Sequence, residues 1–258
     1  MNKKLLTTNN KKTIKGEKLG YMTYILYMSP FKANSQRINV CSHASKGCAE
    51  SCLVGSGFGG VYTSVMQGRV KRTEFFLRDR IDFLNQLKDE IEKAIKKHKD
   101  EAIVTIRLNG TSDLSYENFR VFDGKNIFEL FPDIQFYDYT KNWTRFNKPL
   151  PANYHLTFSR SETNHDKAME LLRKGVNVAI VFDKLPKTYE GFEVINADEN
   201  DLRFLDKKGV VCGLKYKKMT GKGGAEKNKA AFENGFVLKV SSPSKSKKVD
   251  ERKFVNAA

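Results

Sequence analysis

The sequence predicts an α/β domain, built as an incomplete or irregular parallel β/α barrel with an N-terminal cysteine-rich loop. Three observations predict it. Short apolar runs alternate with helix-like segments beyond residue 100, polar residues gather at the C-terminal ends of those runs, and three of the four cysteines fall between residues 41 and 52. At 258 residues the chain makes one large domain or two small ones. Its 40% hydrophobic and 29% charged residues exclude bulk disorder, coiled coil and collagen.

Residues 1–19 are polar, Lys-rich and without period, which reads as a flexible basic arm. A single domain then spans 20–240 and opens on a strand from Tyr21 to Met28, stopped at Ser29-Pro30. A helix is predicted over Thr73–His98. There Leu77, Ile81, Leu84, Leu87, Ile91 and Ile95 recur every three to four residues, Thr73 supplies an N-cap, and Lys96, Lys97 and His98 close the last turn. Strands are expected at Ala102–Leu108, Ile134–Tyr139, Tyr154–Phe158, Val176–Phe182, Phe192–Ile195 and Val210–Leu214, with helices around Tyr116–Phe131 and Asp166–Lys174. The interval from Phe182 to Phe192 is short for a crossover helix, hence an irregular barrel. An open doubly wound sheet is the alternative, and no glycine-rich dinucleotide fingerprint supports it. Met219–Lys229 reads as a loop, Phe236–Val240 as a last short strand, and 241–258 as a disordered basic tail.

Most of the net charge of +16 sits at the ends. Residues 1–20 carry six lysines against Glu17, and residues 215–258 carry twelve basic against four acidic residues, leaving +3 for the long middle. Nonspecific nucleic-acid contact through the basic ends is one reading, and solvated, solubilising ends are the other. Arg69, Lys71, Arg72, Arg78 and Arg80 form a basic stretch that reads as a solvated flank, with phosphate contact as its alternative. The best membrane candidate, Leu19 to Met28, is too short to span a bilayer, so a cytoplasmic protein is expected. The segment from Gly221 to Gly224 lacks the spacing of a phosphate-binding P-loop, and His155 and His165 have no partners for a hydrolase triad.

Cys41, Cys48 and Cys52 lie in one short polar run, and Gly55, Gly57, Gly59 and Gly60 follow it. Clustering of this kind in a cytosolic chain points to metal binding, as zinc or an iron–sulfur cluster. Structural zinc favours paired Cys-x-x-Cys knuckles, which are missing here. Three thiolates suit a 4Fe-4S cluster with one iron left open to a substrate or cofactor. His43 or Cys212 as a fourth ligand would close the site around either metal. Cys212 lies in an apolar strand and reads first as a small core residue.

The runs Arg107–Asp113, Gln135–Lys141, Tyr154–Glu162, Asn177–Phe182 and Asp201–Asp206, with the three cysteines, resemble the bacteriophage "gene product 88"-like family over nearly all of the chain between the arms. That resemblance implies a phage origin, with the host cytoplasm as location. More remotely, three cysteines ahead of a β/α barrel of the TIM type are similar to radical S-adenosylmethionine enzymes. The spacing differs: six and then three residues separate the cysteines here, against three and then two there. The resemblance implies that Cys41, Cys48 and Cys52 hold the cluster while polar groups at strand ends bind S-adenosylmethionine and an unknown substrate, with a nucleotide or nucleic acid as the candidate class. Asn109, Thr111 and Asp113 come first, then Asp138, Ser159, Glu162 and Lys215, each with a helix cap or loop hydrogen bond as its plain alternative. Tyr137, Tyr139, Phe158 and Trp143 are expected to line the cavity. The competing expectation is a noncatalytic protein that binds nucleic acid or a host protein and whose iron–sulfur or zinc site only staples the loop.

Overall fold

The structure, a computed structural model, describes residues 4–8, 13–52, 63–220 and 223–240. Nine strands form one sheet: β1 (Leu6–Thr7), β2 (Tyr21–Leu26), β3 (Ile103–Arg107), β4 (Gln135–Thr140), β5 (Tyr154–Ser159), β6 (Val178–Phe182), β7 (Thr188–Tyr189), β8 (Phe192–Asn196) and β9 (Val211–Lys215). Their order across the sheet is β1-β2-β3-β4-β5-β6-β9-β8-β7. From β2 to β6 the chain advances one position at a time, and every pairing from β2 through β8 is parallel. Among the described residues there are seven α-helices: α1 (Thr13–Glu17), α2 (Lys46–Glu50), α3 (Thr63–Arg78), α4 (Arg80–Lys97), α5 (Ile127–Leu130), α6 (His165–Arg173) and α7 (Gly224–Glu233).

Alternation along the strands divides the sheet into two faces. Met22, Tyr24, Leu26, Val104, Ile106, Phe136 and Leu156 pack with Phe75, Phe76, Phe83, Leu84, Leu87 and Ile91 of α3 and α4. Phe158, Val178, Ile180, Phe182 and Val211 continue that face under Ala168, Met169, Leu171 and Leu172 of α6. The other face carries Tyr21, Thr23, Thr105, Arg107, Tyr137, Tyr139, His155, Thr157, Ala179 and Cys212. Residues 197–206 fold across it, with Asp201, Leu202 and Arg203 buried and Phe204 edge-on to Tyr21 at 5.5 Å.

The expected barrel is corrected to an open sheet. Closure requires the first and last strands to pair, and here two short antiparallel strands occupy the edges, β1 on β2 and β7 on β8. The short interval after Phe182 is the cause. It folds as the β7–β8 hairpin, and β8 and β9 then add in reversed order, which ends the single winding. The expected cluster-binding loop is corrected in one respect: as folded, its described residues present no preformed metal site. Among the described residues no group of three or more His, Cys, Asp and Glu side chains is disposed to hold a metal ion.

The helix expected over Thr73–His98 is two helices. Asp79 breaks it and caps α4, its carboxylate accepting from Asp82 N at 3.0 Å. The break brings Phe75 and Phe76 edge-on to Phe83 at 5.4 and 5.3 Å and leaves Ile81 exposed. Thr73 is no cap. It is buried inside α3, donating to Arg69 O at 3.0 Å and accepting from Ser29 N at 2.8 Å. Around Tyr116–Phe131 only a 3-10 turn (Tyr116–Asn118) and α5 form. Met219–Lys229, read as a loop, contributes to α7, and Phe236–Val240 adds one bridge, Leu238 to Phe182. Within residues 1–19, Leu5 and Leu6 are buried and β1 pairs with β2. No helix of the described residues is long and apolar enough to cross a membrane. Gly55, Gly57, Gly59, Gly60, Gly221 and the tail 241–258 lie outside the described residues.

Candidate functional site

The cysteine run lies over the C-terminal edge of the sheet, where parallel α/β folds place their sites. Cys41 Sγ is 3.6 Å from the Thr111 carbonyl just beyond β3 and accepts from Phe31 N at 3.4 Å. Glu162, beyond β5, anchors the loop, accepting from Gly47 N at 2.6 Å and Ser45 Oγ at 2.7 Å. A Cβ on Gly47 would stand 2.7 Å from the Glu162 carboxylate, so this approach needs glycine. Ser45 in turn caps α2, accepting from Cys48 N at 3.2 Å. Cys48 packs against Ala231, Phe236 and Val237, below α7.

The three thiols share one neighbourhood. All are half-buried, and the charges of Cys52 and Cys48 act on Cys41. Burial is the largest cause that pushes the Cys41 thiol up to about 12; Asp113 and the other two cysteines add to it, against the Phe31 hydrogen bond. Such a thiol stays protonated at neutral pH until a cation displaces the proton. Among the described residues the donors do not converge on a single ion.

Most of the other expected ligands hold the scaffold. Asn109 is buried, accepting from Ser112 Oγ at 2.9 Å and Leu114 N at 2.8 Å. Thr111 hydrogen-bonds the Met28 carbonyl. Asp113 accepts from Thr140 Oγ1 at 2.7 Å and Lys141 N at 2.8 Å. Asp138 lies two residues short of the end of β4, fully enclosed, and takes Asn109 N at 2.8 Å and Tyr154 OH at 3.1 Å. Burial outweighs the Arg107 charge and these bonds, holding Asp138 up at about 6. Ser159 accepts from Lys141 Nζ at 2.8 Å at the rim. Lys215 is exposed, and its backbone N–H donates to Asp198 at 2.9 Å. Of the expected aromatic lining, Tyr137 and Tyr139 are on the polar face, whereas Phe158 belongs to the helix-covered core and Trp143 lies 37% exposed under Lys167. His43 is an exposed loop residue bonded to Ser42. Cys212 sits below the rim, its thiol 3.6 Å from Asp206.

A buried ionic layer under the rim escaped the sequence reading. Arg107 pairs with Asp201 and lies 3.9 Å from Asp138, over the rings of Tyr137 and Tyr139. Arg145 forks onto Glu117 with two bonds of 2.7 Å and also reaches Tyr154 OH at 3.0 Å. Arg203 pairs with Asp206 at 3.1 Å. The signal was present: Arg107 ends an otherwise apolar strand, and Asp201 opens one of the quoted runs.

No curated protein and no solved structure gives a significant match to the chain. The sequence profile of the family described as Gene product 88 matches residues 3–234, from the strand β1 through α7, and so includes the cysteine loop, the whole sheet and the ionic layer. With a match over so much of its length, the chain belongs to the Gene product 88 family.

Proposed function

We propose that this chain is an iron–sulfur protein in which Cys41, Cys48 and Cys52 hold a 4Fe-4S cluster at the C-terminal edge of the sheet, with one iron open to S-adenosylmethionine or a substrate. The observation that supports the reading is the gathering of three half-buried thiols in one electrostatic neighbourhood beside the strand ends. A bound cluster of this type supplies one electron to the ligand on its open iron. Glu162, through Gly47 N and Ser45, positions the loop that carries Cys48. Cys41 loses its proton on ligation, and Phe31 N remains to donate to its sulfur.

A second reading is favoured by the closure of the polar face. Leu202, Arg203 and Phe204 fill the space inside the sheet where a barrel enzyme would hold its substrate. On that reading the metal staples the loop of a noncatalytic protein that contacts nucleic acid or a host protein.

Anaerobic purification with iron, sulfide and zinc analysis, followed by titration with S-adenosylmethionine, separates the two. The catalytic reading expects iron and sulfide with visible absorption lost in each of Cys41→Ser, Cys48→Ser and Cys52→Ser, kept in Cys212→Ser, and perturbed by the cofactor. Zinc without iron sinks it. Unfolding on chelation with no cofactor effect establishes the stapling role instead.

A further inference from the structure

We propose that Arg69 and Arg72 of α3 form a binding site for an oxyanion, a carboxylate or phosphate group, on the ligand that lies against the cysteine loop. The basic stretch read as a solvated flank divides in the structure. Lys71, Arg78 and Arg80 are exposed, whereas Arg69 and Arg72, three residues apart on one side of the helix, turn toward Tyr27 just beyond β2. The Arg69 guanidinium lies 5.1 Å from the centre of the Tyr27 ring. Its Nε and Nη1 atoms are buried and have no hydrogen-bond partner among the described residues. Arg72 donates Nε to the Tyr27 carbonyl at 2.8 Å and Nη1 to the Lys4 carbonyl at 3.5 Å.

Two desolvated cations side by side need an anion. No ion pair to either arginine occurs among the described residues, and Arg72 answers to peptide carbonyls, which carry no net charge. Burial lowers both arginines, Arg69 adds to that of Arg72 by repulsion, and the Glu90 charge, which makes no ion pair with Arg72, acts the other way on it. Planar guanidinium donors match the two oxygens of a carboxylate or phosphate. The charge of Cys52 acts on Arg69, in keeping with an oxyanion on the cysteine-loop side of Tyr27. This inference deepens the iron–sulfur reading by naming the charged group of its ligand. It rests on that reading for what the ligand does, while the anion site itself rests on the two arginines.

The test is calorimetric titration of the full-length chain, iron-free and cluster-loaded, with inorganic phosphate and with acetate. Saturable binding of one of them is expected, weakened at least tenfold in Arg69→Gln, partly restored in Arg69→Lys and unchanged in Lys71→Gln. Preference for phosphate or acetate tells which oxyanion the site takes. Absence of saturation with both probes in both forms, or equal binding by the wild type and Arg69→Gln, overturns the proposal. Oxyanion binding by a wild-type chain that takes up no iron sinks the cysteine reading alone, and iron retained without oxyanion binding sinks this proposal alone.

Discussion

On one face of the sheet Met22, Val104, Ile106, Phe136 and Leu156 lie under α3 and α4, packed by apolar contact. On the other face the same strands present Thr23, Thr105 and Tyr137, joined by hydroxyl bonds of 2.9 and 3.2 Å, and Arg107 paired with Asp201. The first face is stabilised by removal of apolar area from water and tolerates any similar filler. The second holds together only while each buried polar group keeps its partner. The difference assigns labour: the apolar face fixes the sheet, and the polar face fixes the 197–206 segment across it, below the rim where the cysteine loop sits.

Substitutions that treat the faces unequally sharpen this contrast. Arg107→Met strands the Asp201 and Asp138 carboxylates in the interior and is expected to cost about 3–5 kcal/mol in denaturant unfolding. Replacing Asp201 by Asn in the same chain should recover part of that loss; no recovery would mean that Arg107 acts by packing alone. On the apolar face Leu87→Ala, at a fully buried position, should cost about 2–5 kcal/mol, with no dependence on pH or salt. A smaller effect, about 1 kcal/mol, is expected for Asp79→Ala, which removes the cap between α3 and α4.

The least expected effect is on pH. Burial, with the Arg203 and Lys208 charges behind it, pushes His155 on the polar face down to about 4 from 6.5. A folded value below the unfolded one means that the unfolded chain binds the proton first. The stability from neutral His155 is therefore complete above about 6.5 and is lost as the pH falls toward 4. His155→Phe should flatten the unfolding profile over that window. An unchanged slope would return the acid response to other groups. Asp138, raised to about 6, acts with the opposite sign: its contribution is lost as the pH rises toward 6.

Much of the sheet was legible because strand identity is written locally. Seven of the nine strands overlap apolar runs visible in the chain, and only the two-residue edge strands β1 and β7 left no such mark. The helix break at Asp79 was not visible, since the spacing of Leu77, Leu84 and Leu87 runs through it without interruption. At the rim, Cys41 and Glu162 were singled out by residue type and position. That Glu162 grips Gly47 and Ser45, 115 and 117 residues away, could not be read from either segment. Asn109 and Asp113 were singled out too, and the structure gives them the plainer role of turn and strand-end hydrogen bonding.

The sequence by itself determined the α/β class, the strand succession and the presence of three neighbouring cysteines, because periodicity and spacing are properties of the chain. Only the tertiary structure decided that the sheet stays open, that 197–206 covers its polar face, and that Arg69 and Arg72 face inward onto Tyr27. Each of these depends on which distant segments compete for the same edge or the same buried charge, and that competition is settled only when the chain packs.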